Sequence, residues 1–326
     1  MRNGAHAHAP LLSADDPVLA ATERASRAVL RSFAALCATA VVQAAVVWYS
    51  GSVALLADTI HNAADAATAV PLWIAFRYAR RAPDRKFTYG YGRVEDLAGV
   101  VIVGVILVSG IAAAVESVRR FTAPAPVEHL WAVALAAAVG FLGNEAVALY
   151  RIRVGKAIGS AALVADGRHA RIDGLTSLAV LLGAAGVAAG IPEADPAVGM
   201  LLCVAILKIV RDTGKEVFLR LLDGADPGVG DEIRETVSAS PGVKEVTEVR
   251  VRWSGHRLYA EVNLAVDGAL PVEEGHAIAT EARHRMLHRL PYLSDATVHV
   301  DPVNASGASR HGVSLHRHDD LPGHTH

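Results

Sequence analysis

Six long apolar stretches in the first two thirds of the chain limit its fold more than any other feature of the sequence. A helix that crosses a bilayer needs about 20 mostly apolar residues, and each stretch is close to that length or longer. The composition agrees, because 52% of the residues are hydrophobic and only 20% are charged, against about a quarter in soluble domains. The sequence therefore predicts an α-helical membrane protein built on a six-helix transmembrane bundle. The stretches run over residues 30–49, 52–76, 97–118, 128–149, 161–190 and 196–212.

The net charge and the cysteines exclude several other classes of protein. The net charge is -2 at pH 7, whereas a nucleic-acid partner normally requires a basic face, so no nucleic acid is expected. Cys37 and Cys203 both lie in apolar stretches and are interpreted as small buried side chains, which leaves no disulfide framework and no thiolate zinc site. Residues 1–28 are polar and charged, lack the apolar core of a secretory signal, and are predicted to form a cytoplasmic arm.

Lysine and arginine residues predict how the bundle is oriented in the membrane. They precede the first stretch and crowd the segments after the second, fourth and sixth, whereas the turn between the fifth and sixth carries Glu193 and Asp195. Basic loops stay on the cytoplasmic side, so both termini are predicted to be cytoplasmic in a multi-pass protein of the plasma (inner) membrane. Arg119 and Arg120 break the pattern and are explained by snorkelling to the headgroups. The basic residues are Arg24, Arg27 and Arg31; Arg77, Arg80, Arg81, Arg85, Lys86 and Arg93; Arg151, Arg153 and Lys156; and Lys208, Arg211, Lys215 and Arg220.

The chain changes character after Leu222, where the long apolar stretches end. Helical spacing and two-residue alternation predict the order α-β-β-α-β, which is a small cytoplasmic α+β domain of metallochaperone-like type over 223–302. It follows a transmembrane domain predicted over 29–222. Residues 303–326 are rich in Gly, Ser and His and are predicted to be a disordered tail whose histidines are a weaker candidate for metal capture. The predicted elements are 231–239, 244–252, 257–266, 272–290 and 296–301.

Two of the apolar stretches carry the same polar pattern, Ala-Asp-x-x-His-x-x-x-Asp. Positions i, i+3 and i+7 of a helix fall within an arc of about 60°, so each helix presents its three polar side chains as one stripe. Burying an acidic side chain in hydrocarbon costs about 2.5 kcal/mol or more, and two matching stripes therefore need a shared compensation. A bound cation provides it. The stripes are Asp58, His61 and Asp65 in the second stretch and Asp166, His169 and Asp173 in the fifth.

The His-x-x-x-Asp pairs are the predicted ligands of that cation. His61 and Asp65 with His169 and Asp173 give two nitrogens and two oxygens, which suits tetrahedral Zn²⁺. Mg²⁺ and Cu(I) are disfavoured by this donor set, whereas Fe²⁺, Co²⁺, Cd²⁺ and Mn²⁺ stay open. Binding needs neutral His and ionised Asp, so protons compete with the metal and an exchange of one for the other is predicted. A single histidine within a membrane is more often a helix–helix hydrogen-bonding group, but the duplicated pattern favours an ion site.

Other polar residues near the stripes have simpler interpretations. Asp58 and Asp166 lie one turn before the histidines and are predicted to support the ligands or to line the access route. Arg168 and Arg171 are predicted to neutralise carboxylates at the cytoplasmic mouth. Packing or interfacial roles are predicted for Glu95, Asp96, Asn144 and Glu145.

These motifs resemble the cation diffusion facilitator family over nearly the whole ordered chain, from about residue 30 to 302. The resemblance implies a homodimer in which the second and fifth helices form a transport site that works by alternating access and proton antiport, with no organic cofactor. His61, Asp65, His169 and Asp173 fall on the family's transport-site positions, and a histidine in the second helix implies a preference for zinc. The motifs are Gly-Ser-Val-Ala-Leu-Leu-Ala-Asp at 51–58, Tyr-Gly-Tyr-Gly-Arg-Val-Glu at 89–95, the His-to-Asp segment at 169–173, Leu-Leu-Asp at 221–223 and Val-His-Val-Asp-Pro at 298–302.

The resemblance also implies a charge lock and two accessory metal sites. Arg93 and Asp223 occupy the positions of a basic and an acidic residue that lock the dimer at the membrane surface. The site in the segment between the second and third helices is expected to be absent, because Phe87 and Tyr91 replace its histidines and only Asp84 is kept. In the cytoplasmic domain Thr247 and Asn263 replace histidines. His276, His299 and Asp301 are kept and are a candidate site for a single ion, and the absence of metal there is the equal alternative. His256, His284 and His288 are interpreted as solvated.

The predicted function is therefore efflux of a divalent cation, Zn²⁺ as the transported ion, with a lipid bilayer and protons as the other partners. A transporter of Fe²⁺, Co²⁺, Mn²⁺ or Cd²⁺ is one alternative, and a non-transporting membrane metal sensor or scaffold is another. An enzyme is not expected, because no nucleophile–base pair is recognised in the sequence. The glycines of Gly90-Tyr91-Gly92 follow a basic segment rather than a strand, so they do not indicate a phosphate-binding loop.

Overall fold

The computed structural model describes residues 17–50, 59, 69–122, 130–191 and 194–305. Two compact units make up the chain: unit 1 is Met1–Leu222 with Ser254–His256, and unit 2 is Asp223–Trp253 with Arg257–His326. Three predicted site residues of the second apolar stretch lie outside the described residues, as does the His-containing tail. They are Asp58, His61 and Asp65.

The described residues of unit 1 contain six helices in the predicted order, five of 28 to 34 residues and one of 11 residues. Three segments, Leu19–Tyr49, Arg93–Ala112 and Trp131–Ile158, are by themselves long and apolar enough to cross a membrane. Large apolar side chains are exposed along the helices, including Val108 and Leu201, as expected of surfaces that face lipid rather than water. The fold is that of an α-helical membrane protein. The helices are α1 (Pro17–Ser50), α2 (Ala69–Ala79), α3 (Arg93–Thr122), α4 (Leu130–Ile158), α5 (Ala161–Ala188) and α6 (Ala194–Leu221).

A tight turn joins α4 to α5 and fixes how these two helices pack. Gly159 adopts φ 73°, a left-handed conformation that ends α4 at little cost for glycine. Ser160 then caps α5, because its Oγ accepts a hydrogen bond from the Leu163 N–H at 3.1 Å. A Cβ added at Gly155 would lie 2.8 Å from Val164 Cγ2, and one added at Gly167 would lie 3.0 Å from the backbone N of Ile152. The two helices therefore approach each other closely through glycine, as membrane helices commonly do.

The apolar core of unit 1 is shared by its helices. Phe76 of α2, Ile106 of α3 and Leu163 of α5 are fully buried in one cluster, which also contains Ile172 of α5 and Ile206 of α6. Because α5 contributes buried apolar side chains on both sides of its polar stripe, it lies inside the helix bundle. This position places the stripe within protein rather than against lipid.

Unit 2 has the predicted α-β-β-α-β order. Its sheet has the strand order β1-β2-β3, and β2 pairs with β3 in parallel, with Asn263 opposite His299. The first helix begins earlier than predicted because Asp226 caps it: the Asp226 side chain accepts a hydrogen bond from the Gly228 N–H at 2.9 Å. The last strand is also longer than predicted at both ends. The elements are α7 (Pro227–Ser238), β1 (Glu245–Ser254), β2 (Arg257–Val266), α8 (Val272–Arg289) and β3 (Leu293–Pro302), followed by a short 3-10 helix (Val303–Ala305).

Candidate metal centre

The polar stripe of α5 is buried in unit 1. Asp166, His169 and Asp173 have exposed fractions of 0%, 1% and 7%. His169 Nδ1 lies 3.8 Å from Asp173 Oδ1, which is longer than a hydrogen bond. Two ligands that each lie about 2 Å from a tetrahedral ion are roughly 3.3 Å apart, so the two side chains are close to the spacing that one shared ion requires. One half of the predicted ligand set is thus together on one helix.

The other half of the predicted ligand set, His61 and Asp65, lies outside the described residues. Among the residues that are described, no group of three or more His, Cys, Asp or Glu side chains is placed to hold a metal. The four-ligand site therefore stays a prediction, supported on the α5 side by the geometry of His169 and Asp173.

Asp166, the first member of the α5 stripe, has an arginine partner that the sequence did not predict. Arg151 Nη1 of α4 lies 2.8 Å from Asp166 Oδ2, and these side chains are 1% and 0% exposed. The sequence interpretation put Arg151 in the connection after a helix ending at residue 149, which is wrong because α4 continues to Ile158. The close approach at Gly167, where an added Cβ would lie 3.0 Å from Arg151 Cβ, is the sequence feature that accommodates this pair.

Two more ion pairs flank the stripe and connect α5 to its neighbours. Arg171 donates two hydrogen bonds to Glu145 of α4, with N–O distances of 2.8 and 3.2 Å. Arg168 Nη1 donates to Glu216 Oε2 of α6 at 2.9 Å. Both arginines therefore pair with carboxylates, as predicted, whereas their position at a cytoplasmic mouth stays a prediction. Each pair balances its own charge, so the pairs add no net charge beside His169.

The candidate metal residues of unit 2 are only partly brought together. His299 Nε2 lies 3.0 Å from Asp301 Oδ1 on β3, whereas the side chain of His276 is exposed on α8. The residues that replace family histidines have other contacts, since Thr247 Oγ1 donates to the Asn263 carbonyl oxygen at 3.2 Å. In the described part of unit 2 these residues do not form a three-ligand group. Metal binding by His276, His299 and Asp301 stays a prediction.

Comparison with known proteins assigns the chain to a family. The family model described as cation efflux transmembrane domain matches residues 29–222, more than half of the chain, and the model described as cation efflux protein, cytoplasmic domain (ZT_dimer) matches residues 226–303. The chain belongs to the cation efflux, or cation diffusion facilitator, family. Its members are membrane-embedded efflux transporters of divalent cations rather than enzymes, and their cytoplasmic domain is a dimerisation domain.

Individual relatives agree with this assignment. The chain is 51% identical over 310 residues to the probable cation efflux system protein Rv2025c of Mycobacterium tuberculosis, which covers 95% of this chain and 91% of that protein. It is 27% identical over 293 residues to the cation-efflux pump FieF of Klebsiella pneumoniae, covering 87% of this chain and 96% of that protein. Among solved structures, the manganese form of a MamM CTD variant matches 23% of this chain and 96% of that chain at 25% identity, with a TM-score of 0.23, which is too low to support the assignment.

The segment between α2 and α3, where the family resemblance implied that an accessory metal site is absent, is organised by Asp84. Its carboxylate accepts hydrogen bonds from the backbone N–H groups of Lys86 and Phe87 at 2.8 Å and from the Tyr91 hydroxyl at 2.6 Å. The Tyr91 hydrogen bond, followed by the backbone hydrogen bonds, lowers the pKa of Asp84, and the same contact raises the pKa of Tyr91. Asp84 therefore stabilises the loop through its carboxylate.

The structure gives the contacts of Arg93, the basic residue of the predicted charge lock. Arg93 begins α3, donates from Nη1 to the Arg220 carbonyl oxygen at 3.1 Å, and lies 3.6 Å from Asp96 Oδ2. Asp223 lies two residues after the end of α6 and adopts φ 61°, which is uncommon for a residue other than glycine. Locking of the dimer by Arg93 and Asp223 stays a prediction.

His256 is not solvated, so the interpretation of this residue was wrong. It is only 3% exposed, and within unit 1 its Nδ1 lies 2.7 Å from Glu95 Oε2 and its Nε2 lies 2.9 Å from Thr22 Oγ1. Glu95 is fully buried and also accepts a hydrogen bond from Ser160. These contacts explain the packing role that was predicted for Glu95. They join residues far apart in the sequence, so no local sequence pattern predicts the burial of His256.

Proposed function

We propose that this cation diffusion facilitator exports Zn²⁺ in exchange for protons, with His61, Asp65, His169 and Asp173 holding the ion in turn toward each side of the membrane. It would act as a homodimer in the plasma (inner) membrane with both termini in the cytoplasm. The observation that carries the proposal is the buried pair of His169 and Asp173 on α5, 3.8 Å apart in a membrane-embedded efflux protein.

The choice of zinc follows from the donor atoms. One imidazole nitrogen and one carboxylate oxygen from each of two helices suit a tetrahedral ion of borderline softness. The pairing of Asp166 with Arg151 supports this choice, because it occupies the second carboxylate of the α5 stripe and leaves only that of Asp173 for the ion. A larger ion that needs six or more oxygens would find fewer donors here.

The choice of protons as the coupling ion follows from the same atoms. Zn²⁺ requires His169 to be neutral and Asp173 to be ionised, so a proton and the metal exclude each other. Protons arriving from the more acidic side would release the metal there. In each of the three ion pairs around α5 the two charges cancel. The exchange of protons for metal is therefore expected at the ligand residues alone.

A flux assay tests the proposal. The purified full-length protein is reconstituted in vesicles with an acidic interior, and Zn²⁺ entry is followed with a trapped zinc-sensitive dye. We expect zinc entry that stops when the pH gradient is collapsed, and a loss of more than about tenfold in Asp173→Asn. The matched control is Asp212→Asn, which removes a half-exposed carboxylate from α6 and should leave the flux unchanged.

The same vesicles separate zinc from the alternatives. Competition with Fe²⁺, Co²⁺, Mn²⁺ and Cd²⁺ ranks the ions, and His61→Asp should weaken the preference for zinc over cadmium while the dimer persists. Zinc binding without any proton-coupled flux would favour a sensor or scaffold. Normal zinc entry in Asp173→Asn would remove the proposed site altogether.

A further inference from the structure

A basic cleft of about 340 Å³ lies between α1 and α4 in unit 1. We propose that it binds the phosphate of an anionic phospholipid headgroup. Four arginines and one tyrosine supply its polar groups: Arg24, Arg27 and Arg31 from α1, and Tyr150 and Arg153 from α4.

The positive charge of the cleft is largely uncompensated by protein. Arg24, Arg27 and Arg31 are spaced by three and four residues, so they share one face of α1 and repel one another. Arg27 lies 3.7 Å from Glu23, with both side chains more than half exposed, which is a weak contact. Among the described residues, the guanidinium groups of Arg24, Arg31 and Arg153 have no carboxylate within ion-pair distance. An anion in the cleft would relieve this repulsion.

The lengths of α1 and α4 place the cleft at the level of the lipid headgroups. Their apolar segments have 31 and 28 residues, whereas crossing the hydrocarbon takes about 20. Trp48 and Tyr49 at the end of α1, and Trp131 at the start of α4, are strongly exposed aromatic residues of the kind that anchor at one interface. About 20 residues from these anchors, α1 reaches Arg31 and α4 reaches Tyr150. The remaining turns, which carry the arginines, extend into the opposite headgroup layer.

The chemistry of the cleft favours a phosphate ester. A guanidinium group presents a planar fork of donors that matches two phosphate oxygens, and the Tyr150 hydroxyl adds a further donor. Basic pockets between membrane helices are known to hold anionic lipid headgroups. Val154, Ala157 and Ile158 of α4 also line the cleft and offer apolar surface to acyl chains. Inorganic phosphate shares the headgroup chemistry but gains nothing from this apolar surface.

Lipid retention by the purified full-length protein tests the proposal. The protein is delipidated in detergent, incubated with phosphatidylglycerol or with phosphatidylcholine of the same chains, and analysed by native mass spectrometry. We expect phosphatidylglycerol to bind about 30-fold more weakly to Arg24→Gln/Arg31→Gln, and about fivefold more weakly to Arg153→Gln. The matched control is Arg80→Gln/Arg85→Gln, which removes two exposed arginines from another basic segment and should bind as the parent does.

A second arm distinguishes the source of the phosphate. Inorganic phosphate and glycerol phosphate are titrated against the phosphatidylglycerol complex. Retention that depends on the cleft arginines and resists both soluble phosphates supports the lipid assignment. Displacement of the lipid by inorganic phosphate at equal concentration would overturn that assignment in favour of a soluble ligand. Equal phosphatidylglycerol binding by the cleft variants and the control would overturn the site itself.

Discussion

Replacing Arg151 with methionine tests how the buried ion pair between Arg151 and Asp166 affects the stability of unit 1. At 2.8 Å and an effective dielectric constant of 20, the attraction between Arg151 and Asp166 is about 6 kcal/mol. Taking both charges out of water costs several kcal/mol each, so the intact pair contributes little net stability. Arg151→Met removes the attraction but leaves the Asp166 carboxylate buried. We therefore expect a loss of about 3–5 kcal/mol in the free energy of unfolding.

The second variant of this test removes both charges. In Arg151→Met/Asp166→Asn no charge is left buried, so we expect the double variant to recover about 2 kcal/mol relative to the sum of the single variants. Unfolding in mixed micelles, followed by tryptophan fluorescence, measures all three. Lys156→Met is the matched control, because this exposed cation lies five residues further along the same helix, outside the cleft, and should change stability by less than about 0.5 kcal/mol. An Arg151→Met protein as stable as that control, or a double variant with additive losses, would refute the reasoning.

Three further predictions concern other parts of the chain. Gly167→Ala should destabilise unit 1 by about 1–3 kcal/mol because its Cβ would press on the α4 backbone, whereas Gly104→Ala, with open space around it, should be neutral or stabilising in the same unfolding measurement. The lowered pKa of Asp84 means that its loop keeps its hydrogen bonds at pH values above 3.8 and loses them as the pH falls through the lowered pKa. Because the same hydrogen bond raises the pKa of Tyr91, Asp84→Asn should lower that pKa. A spectroscopic titration of tyrosine measures it, and Tyr91→Phe identifies which part of the signal comes from Tyr91. Asp226→Ala should cost about 1 kcal/mol through loss of the α7 cap, and an unchanged melting temperature would contradict this role.

Periodicity predicted the elements well but not their ends. The order of all described helices and strands follows from apolar spacing, because burial repeats with the period of each element. The ends depend on single residues. The sequence interpretation stopped α4 at residue 149, where its uninterrupted apolar stretch ends, although Gly159 terminates the helix. This error removed Arg151 from the helix and hid its ion pair. Asp226 had the same effect on α7, since one capping hydrogen bond decided where the helix begins.

The candidate site was predictable to the extent that it lies on one helix. His169 and Asp173 are four residues apart, so helical geometry alone brings them onto one face. Contacts between distant residues were not predictable in this way. His256 reaches Glu95 across 161 residues, and no local pattern distinguishes a turn histidine that becomes buried from one that stays in water.

The ion pairs of α5 also indicate which helices move in the proposed alternating access. Sliding α5 against α4 would break the fully buried Arg151–Asp166 pair and disturb glycine contacts that leave no spare room. Sliding α5 against α6 would break the Arg168–Glu216 pair, whose side chains are 26% and 34% exposed and can exchange it for water at small cost. We therefore expect α4 and α5 to move as one body and the contact between α5 and α6 to yield.

Distances between spin labels measure this difference. Labels at Lys156 of α4 and Leu182 of α5 report on the first contact, and labels at Leu182 and Leu207 of α6 report on the second, after Cys37 and Cys203 are replaced by serine. Adding Zn²⁺ or lowering the pH should leave the first distance distribution in place and shift the second. An equal shift in both distributions would mean that the buried ion pair opens during transport, because α4 and α5 could not otherwise separate.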